Sequence, residues 1–276
     1  MNNIKLVATD LDGTFLKNDR SISTENLNAL HFLGEKNIVR VVATGRSLHK
    51  VKAVVHANIP FDYIVFSSGA GVFDWKQKKL IFKQNIDKKS AKKLTAYFIE
   101  KRLNFHAFFP VPQNHKHWYF RGDEKCEEFE RYFEFNNAYA INIAESGIPE
   151  SELSQFLLII PDNGEEFEQL KADIESTSSD IRVIRTSSPI TKGYIWVEVF
   201  HKSVSKGSGV QYICDMLGIE YERTVGIGND YNDFDLLDFT AFSFLTENAP
   251  PEIFALYKSA PSNENDAFAF VAQIIF

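Results

Sequence analysis

The chain has 276 residues, 44% of them hydrophobic and 24% charged, and carries a net charge of −7. That length supports one large domain or two modest ones with a core each, and the composition is that of an ordinary globular protein, which excludes extended disorder. The acidic balance argues against nucleic acid as a partner, since such binding rests on clustered Lys and Arg. It leaves room for a small phosphorylated metabolite held by local positive charge.

From Met1 the chain runs directly into Ile4, Leu6, Val7 and Ala8, an apolar density that predicts a strand buried on both faces. No long apolar leader precedes it and no later stretch approaches a membrane span; the expectation is a cytoplasmic protein with no membrane partner. Ser23 is placed to cap a helix, with Ile22 and Leu27 as a staple and Leu27, Leu30 and Leu33 as its apolar stripe. Residues 38–43 read as a second strand ending in Thr44, Gly45 and Arg46, from which another helix starts. A third strand, 62–66, leads into Ser67, Ser68, Gly69 and Ala70 and then a hairpin over 73–82. Such alternation predicts a parallel sheet with helices on its faces and a ligand site at the strands' carboxyl ends.

The pattern changes from about residue 85. A helix over 88–102, strands at 105–109 and 117–121, a helix at 125–135, a strand at 156–160, a helix at 165–175 and a strand at 181–185 predict an inserted α+β module. Alternation resumes with a strand at 195–200, a helix at 206–217, a strand at 224–227 and a helix at 233–238. The fold expected is therefore α/β: a Rossmann-like parallel-sheet core with helices on both faces, formed by 1–84 and 186–276, plus an α+β domain inserted over 85–185. Cys126 and Cys214 lie outside any CxxC pattern and read as reduced structural thiols.

The first strand ends in Asp10-Leu11-Asp12-Gly13. Residues two apart in extended backbone point the same way, so Asp10 and Asp12 face one site. Two carboxylates that close call for a cation, and Mg2+ takes oxygen ligands and shares them with phosphate; a plain Asp-Gly turn is the alternative. The Thr44 hydroxyl and the N–H groups of Gly45 and Arg46 are placed to bind phosphate oxygens at a helix start, or simply to cap it. Lys206 stands at a helix start, where the dipole disfavours a cation unless an anion lies near, and Gly207 and Gly209 read as allowing a ligand close to the backbone. The segment 226–235, GIGNDYNDFD, gathers Asn229, Asp230, Asn232, Asp233 and Asp235 after a strand, the oxygen-rich loop a Mg2+ site needs. His115 and His117 read as exposed hairpin residues.

In order, DLDGT, ATGR, the Lys206 segment and GNDYND resemble the four motifs of the haloacid dehalogenase superfamily of phosphatases, and the long insert resembles the cap of the Cof-type, type IIB branch. Asn248 and Ala249 match a phrase common in that branch. The resemblance implies that Asp10 is the nucleophile, forming an aspartyl-phosphate, and Asp12 the general acid/base. It implies Mg2+ bound by Asp10, Asp12 through its backbone carbonyl, Asn229 and Asp233, with Asp230 as an alternative ligand, and phosphate held by Thr44, Gly45, Lys206 and Asn232. Two positions depart from the pattern: Asn229 stands where an Asp is usual, and Ser68 where the family often has Asn. The expected activity is a Mg2+-dependent phosphatase acting on small phosphorylated metabolites such as sugar phosphates, with the cap choosing the leaving group. A sugar-phosphate phosphomutase and, because of Asn229, a catalytically silent metabolite-binding regulator are the alternatives. The sequence does not speak to oligomeric state.

Overall fold

The structure, a computed structural model, describes residues 3–275. The chain divides into two compact units, Met1–Lys83 with Val204–Phe276, and Gln84–Ser203. Among the described residues no helix is long and apolar enough to cross a membrane.

The first unit opens with β1 (Leu6–Thr9), buried at every position as its unbroken apolar run requires. Helix α1 (Thr24–Glu35) starts at Ser23, whose hydroxyl accepts from the Asn26 N–H at 3.0 Å. Strand β2 (Val39–Ala43) follows, then α2 (Leu48–Val54), β3 (Tyr63–Phe66), β4 (Gly71–Asp74) and β5 (Lys79–Lys83).

The second unit runs through α3 (Lys88–Glu100), β6 (Phe105–Phe108), β7 (His117–Phe120), α4 (Glu127–Asn136), β8 (Ala140–Asn142), α5 (Ile143–Ser146), β9 (Gln155–Pro161), α6 (Gly164–Thr177), β10 (Ile181–Ser187) and β11 (Tyr194–His201). Its sheet has the order β10-β11-β9-β6-β7-β8, antiparallel except for β7 beside β8. Alternate residues of β9 separate its two cores: Phe156 and Leu158 pack with Leu94 and Phe98 of α3 and Ile174 of α6, while Leu157 and Ile159 pack with Tyr132 of α4.

Two sequence expectations fail in this unit. The strand over 195–200 was assigned to the core and the insert ended at 185; instead β11 pairs antiparallel with both β9 and β10, and Ile195, Val197 and Val199 fill the second unit's core. The chain therefore returns to the first unit at Val204. A strand followed by a helix looks the same in sequence whichever sheet it joins. His117, expected to be exposed, is fully buried, its ring centroid 4.9 Å from that of His106.

Back in the first unit come α7 (Lys206–Leu217), β12 (Thr224–Gly228), α8 (Phe234–Phe239), β13 (Phe242–Thr246), β14 (Lys258–Ala260) and α9 (Ala267–Ile274); the last three were not anticipated. The eight-stranded sheet has the order β14-β13-β12-β1-β2-β3-β4-β5 and is parallel from β14 to β3. β1 lies between β2 and β12, where the strand order reverses, and such a switch point opens a crevice at the carboxyl ends. Helices cover both faces. Val41 of β2 packs with Val210 and Ile213 of α7, while the neighbouring Arg40, pointing to the other face, donates to the Leu30 carbonyl of α1 at 3.1 Å.

Arg40 also forks onto Asp62, Nε to Oδ2 at 2.9 Å and Nη2 to Oδ1 at 3.0 Å, both residues buried. Burial works against the Asp62 carboxylate, but hydrogen bonds from Arg40 and Lys76 hold its pKa below the usual 3.8. Asp62→Ala leaves a buried guanidinium unpaired and is expected to cost about 3 kcal/mol in urea unfolding at neutral pH. Because the folded-state pKa is depressed, this difference is present above pH 3.8 and shrinks as the pH falls through the lowered value. A pH-independent difference would refute the ionic origin.

Candidate active site

The backbone N–H of Asp10 donates to the Ile227 carbonyl at 2.8 Å, which fixes the end of β1 against β12. Asp10 is 4% exposed. The Lys206 ammonium, equally buried, donates to Asp10 Oδ1 at 2.7 Å, Asn232 Oδ1 at 3.0 Å and Asp233 Oδ1 at 2.6 Å. All three of its protons are thus placed. Burial, with Asp233 and Asp12 adding like charge, pushes the Asp10 carboxyl up to about 7 against the pull of Lys206. The Lys206 ammonium shifts upward despite its burial, because Asp10 and Asp233 flank it.

These carboxylates are the anions that a lysine at the first position of α7 calls for. Ser205 caps the helix and Ser208 completes a reciprocal capping box. Gly207 and Gly209 serve packing and not ligand approach, contrary to the sequence expectation: a Cβ on Gly207 would lie 2.0 Å from the Asp235 carbonyl oxygen, and one on Gly209 would lie 2.4 Å from Val65 Cγ1.

Asp12, with its side chain 46% exposed, is gripped by Arg46 through Nε to Oδ2 at 2.6 Å and Nη2 to Oδ1 at 2.5 Å. The sequence motif alone assigns no role to the Arg46 side chain. The available signal was a guanidinium immediately after the Thr44-Gly45 turn, at the same sheet edge as Asp12. Arg20 and Arg46 also bear on Lys50, where burial and their charge pull the ammonium pKa down to about 8. The acidic chain thus concentrates cations beside Asp12.

Thr44 is buried, and its hydroxyl accepts from the Arg46 N–H at 3.2 Å. A Cβ on Gly45 would be in ordinary contact with Ser68 Oγ at 3.6 Å and Asn232 Nδ2 at 3.9 Å. Asn229 Oδ1 accepts from the Thr14 hydroxyl at 3.0 Å. Gly13, at φ 75, lets this amide approach, since a Cβ would fall 2.7 Å from Asn229 Nδ2. Asn248 donates to the Gly13 carbonyl at 2.9 Å from the other side. Asp233 Oδ2 accepts from the N–H groups of Asn229 at 2.8 Å and Asp230 at 3.1 Å, while the Asp230 side chain caps the turn Tyr231–Asp233.

Among the described residues no group of three His, Cys, Asp or Glu side chains is arranged to hold a metal ion. The donors present are oxygens of a different mixture. Asp10 Oδ2 takes no protein donor among the described residues, and the Asn229 amide packs against Gly13 with its oxygen on the Thr14 hydroxyl. Such neutral and anionic oxygens suit a hard cation that keeps several waters. Asp233, with both oxygens engaged, organises the loop and Lys206.

A family model of haloacid dehalogenase-like hydrolases matches residues 7–271, and the chain belongs to that family. It is an enzyme, a hydrolase whose core presents two aspartates and a lysine at the switch point of a parallel sheet. It is similar to a Buchnera aphidicola protein, 26% identical over 98% of both chains. It is also similar to the 5-amino-6-(5-phospho-D-ribitylamino)uracil phosphatase YwtE of Bacillus subtilis, 24% identical over 99% of this chain and 98% of that one. The fold matches that of a HAD subclass IIB sugar phosphatase with a TM-score of 0.76, at 18% identity over 98% of both chains.

Lys206→Met keeps an unbranched apolar stem but leaves Asp10 and Asp233 buried without their cation. The expected loss is about 3 kcal/mol in urea unfolding at neutral pH; an unchanged midpoint would show that the ammonium does not hold these carboxylates together.

Proposed function

We propose that this hydrolase is a Mg2+-dependent phosphatase of small phosphorylated metabolites, sugar phosphates among them. The observation that carries the proposal is the shared Lys206 ammonium, which draws Asp10, Asn232 and Asp233 to one point at the sheet's switch point. The names of the B. subtilis relative and the subclass IIB sugar phosphatase support the phosphatase class.

In this reading Asp10 attacks phosphorus, the bond to the leaving alkoxide breaks, and Asp12 gives that oxygen a proton. Water then attacks the aspartyl-phosphate, losing a proton to Asp12 and releasing phosphate from Asp10. Lys206 balances the Asp10 charge before attack and the phosphoryl charge during it. Thr44, Gly45 and Asn232 orient the phosphate, and Arg46, paired with Asp12, adds positive charge beside it. Mg2+, when bound, would be held by the Asp10 carboxylate, the Asp12 backbone carbonyl and the Asn229 amide oxygen, and would supply charge stabilisation for the transferring group. The inserted unit is the cap that selects the leaving group.

A screen of phosphorylated metabolites with Mg2+, scored by released inorganic phosphate, tests this. Wild type is expected to turn over at least one sugar or polyol phosphate, with activity lost on chelation and in Asp10→Asn. Full activity in Asp10→Asn would remove the nucleophile assignment, and a requirement for a bisphosphate activator would indicate a mutase. Asn229→Asp adds a carboxylate to the oxygen set and is expected to lower the Mg2+ concentration for half-maximal activity by about tenfold, because ligand charge sets cation affinity. An unchanged requirement would take Asn229 out of the metal site.

A further inference from the structure

Between β3 and β4 the chain passes through Ser67, Ser68 and Gly69, and both serines take left-handed backbone, at φ 50 and φ 52. Residues with a Cβ rarely adopt that region, and it persists only where surrounding structure enforces it. Three contacts enforce it here. The Ser67 N–H donates to the Arg46 carbonyl at 2.9 Å, and the Ser68 N–H donates to the Thr44 carbonyl at 2.9 Å. Gly69, at φ 102, lies so close to the cap of α7 that a Cβ would fall 2.0 Å from the Ser205 carbonyl oxygen. The loop is fastened between the two segments that present Thr44 and Lys206.

Ser68 is fully buried, and its hydroxyl finds no hydrogen-bond partner among the described residues. An unpaired buried hydroxyl is costly and calls for an explanation. Its location supplies one. A Cβ built on Gly45 would sit 3.6 Å from Ser68 Oγ and 3.9 Å from Asn232 Nδ2, so the hydroxyl and the amide nitrogen converge over Gly45. The other end of that amide accepts from Lys206. Two uncharged donors beside a buried ammonium suit an oxyanion with several acceptor oxygens.

We propose that the Ser68 hydroxyl is a phosphate ligand, donating to a non-bridging oxygen of the transferring phosphoryl group beside Asn232 Nδ2. This rests on the phosphatase reading, and it gives the hydroxyl of a strained, buried serine the partner it lacks among the described residues.

The test compares wild type with Ser68→Ala and Ser68→Asn, reading turnover of p-nitrophenyl phosphate, calorimetric binding of inorganic phosphate with Mg2+, and Tm without phosphate. Ser68→Ala is expected to weaken phosphate binding and lower kcat/KM about tenfold, the size of one charge-assisted hydrogen bond, while its Tm equals or exceeds that of wild type because an unpaired hydroxyl has gone. Ser68→Asn, which restores a donor and tolerates left-handed backbone, is expected to stay within about threefold of wild type. If Ser68→Ala does not fold, Ser68→Gly, which accepts this backbone and also lacks the hydroxyl, carries the same expectation.

Phosphate affinity unchanged in an otherwise active Ser68→Ala overturns the proposal and leaves the phosphatase reading standing, and so does a fall in Tm with no change in binding. Wild type that binds phosphate, loses that binding in Ser68→Ala, and hydrolyses nothing overturns the phosphatase reading alone.

Discussion

The Lys206 ammonium between Asp10 and Asp233 is the contact on which the site's geometry rests. Those two carboxylates come from the ends of neighbouring parallel strands and lie 196 and 27 residues from the lysine in sequence. Like charges about 4 Å apart repel by roughly 4 kcal/mol at the effective dielectric of a protein, so the carboxylates share this space only because a cation stands between them. The cation is delivered by the start of α7, and α7 reaches that position only because Gly207 and Gly209 let its backbone meet Asp235 and Val65. Helix packing thus sets the position of a charge.

The balance of charge around that contact bears on Asn229. Asp10 and Asp233 share the Lys206 ammonium while Arg46 is paired with Asp12, and burial with the like charge of Asp233 and Asp12 already raises the Asp10 carboxyl to about 7. A further carboxylate at 229 would add to the repulsion on Asp10. The amide keeps an oxygen at that place, hydrogen bonded to Thr14, without the extra charge. An amide in place of a carboxylate at 229 therefore alters the electrostatics of the site more than its shape.

Much of this was legible because the chemistry-bearing residues sit at strand ends that announce themselves. β1 is a buried apolar run closed by Asp10, and β12 ends at the Asn and Asp of its loop. Alternating strands and helices place both ends at one sheet edge. What escaped the sequence depends on tertiary partners. β11 has the same local pattern whether it joins a parallel or an antiparallel sheet, so the second boundary fell early. Gly207 and Gly209 looked like ligand glycines because the carbonyl and the valine they meet lie elsewhere in the chain. His117 sits in a short polar stretch, and the rings that bury it belong to other elements: Phe108 of β6 and Tyr132 of α4, with Phe129 stacked on its neighbour His106.

Every side chain placed in the site comes from the first unit: Asp10 and Asp12 after β1, Thr44 and Arg46 after β2, Ser68 after β3, Lys206 on α7, and Asn229 to Asp233 after β12. Neighbouring strands of one parallel sheet each contribute to the site, and the backbone bonds from Ser67 and Ser68 to Arg46 and Thr44 tie adjacent loops together. The hydrogen bonds that set the geometry of the nucleophile are therefore closed within one core. The strained loop and the buried lysine with its two aspartates are thus held by the sheet that carries them.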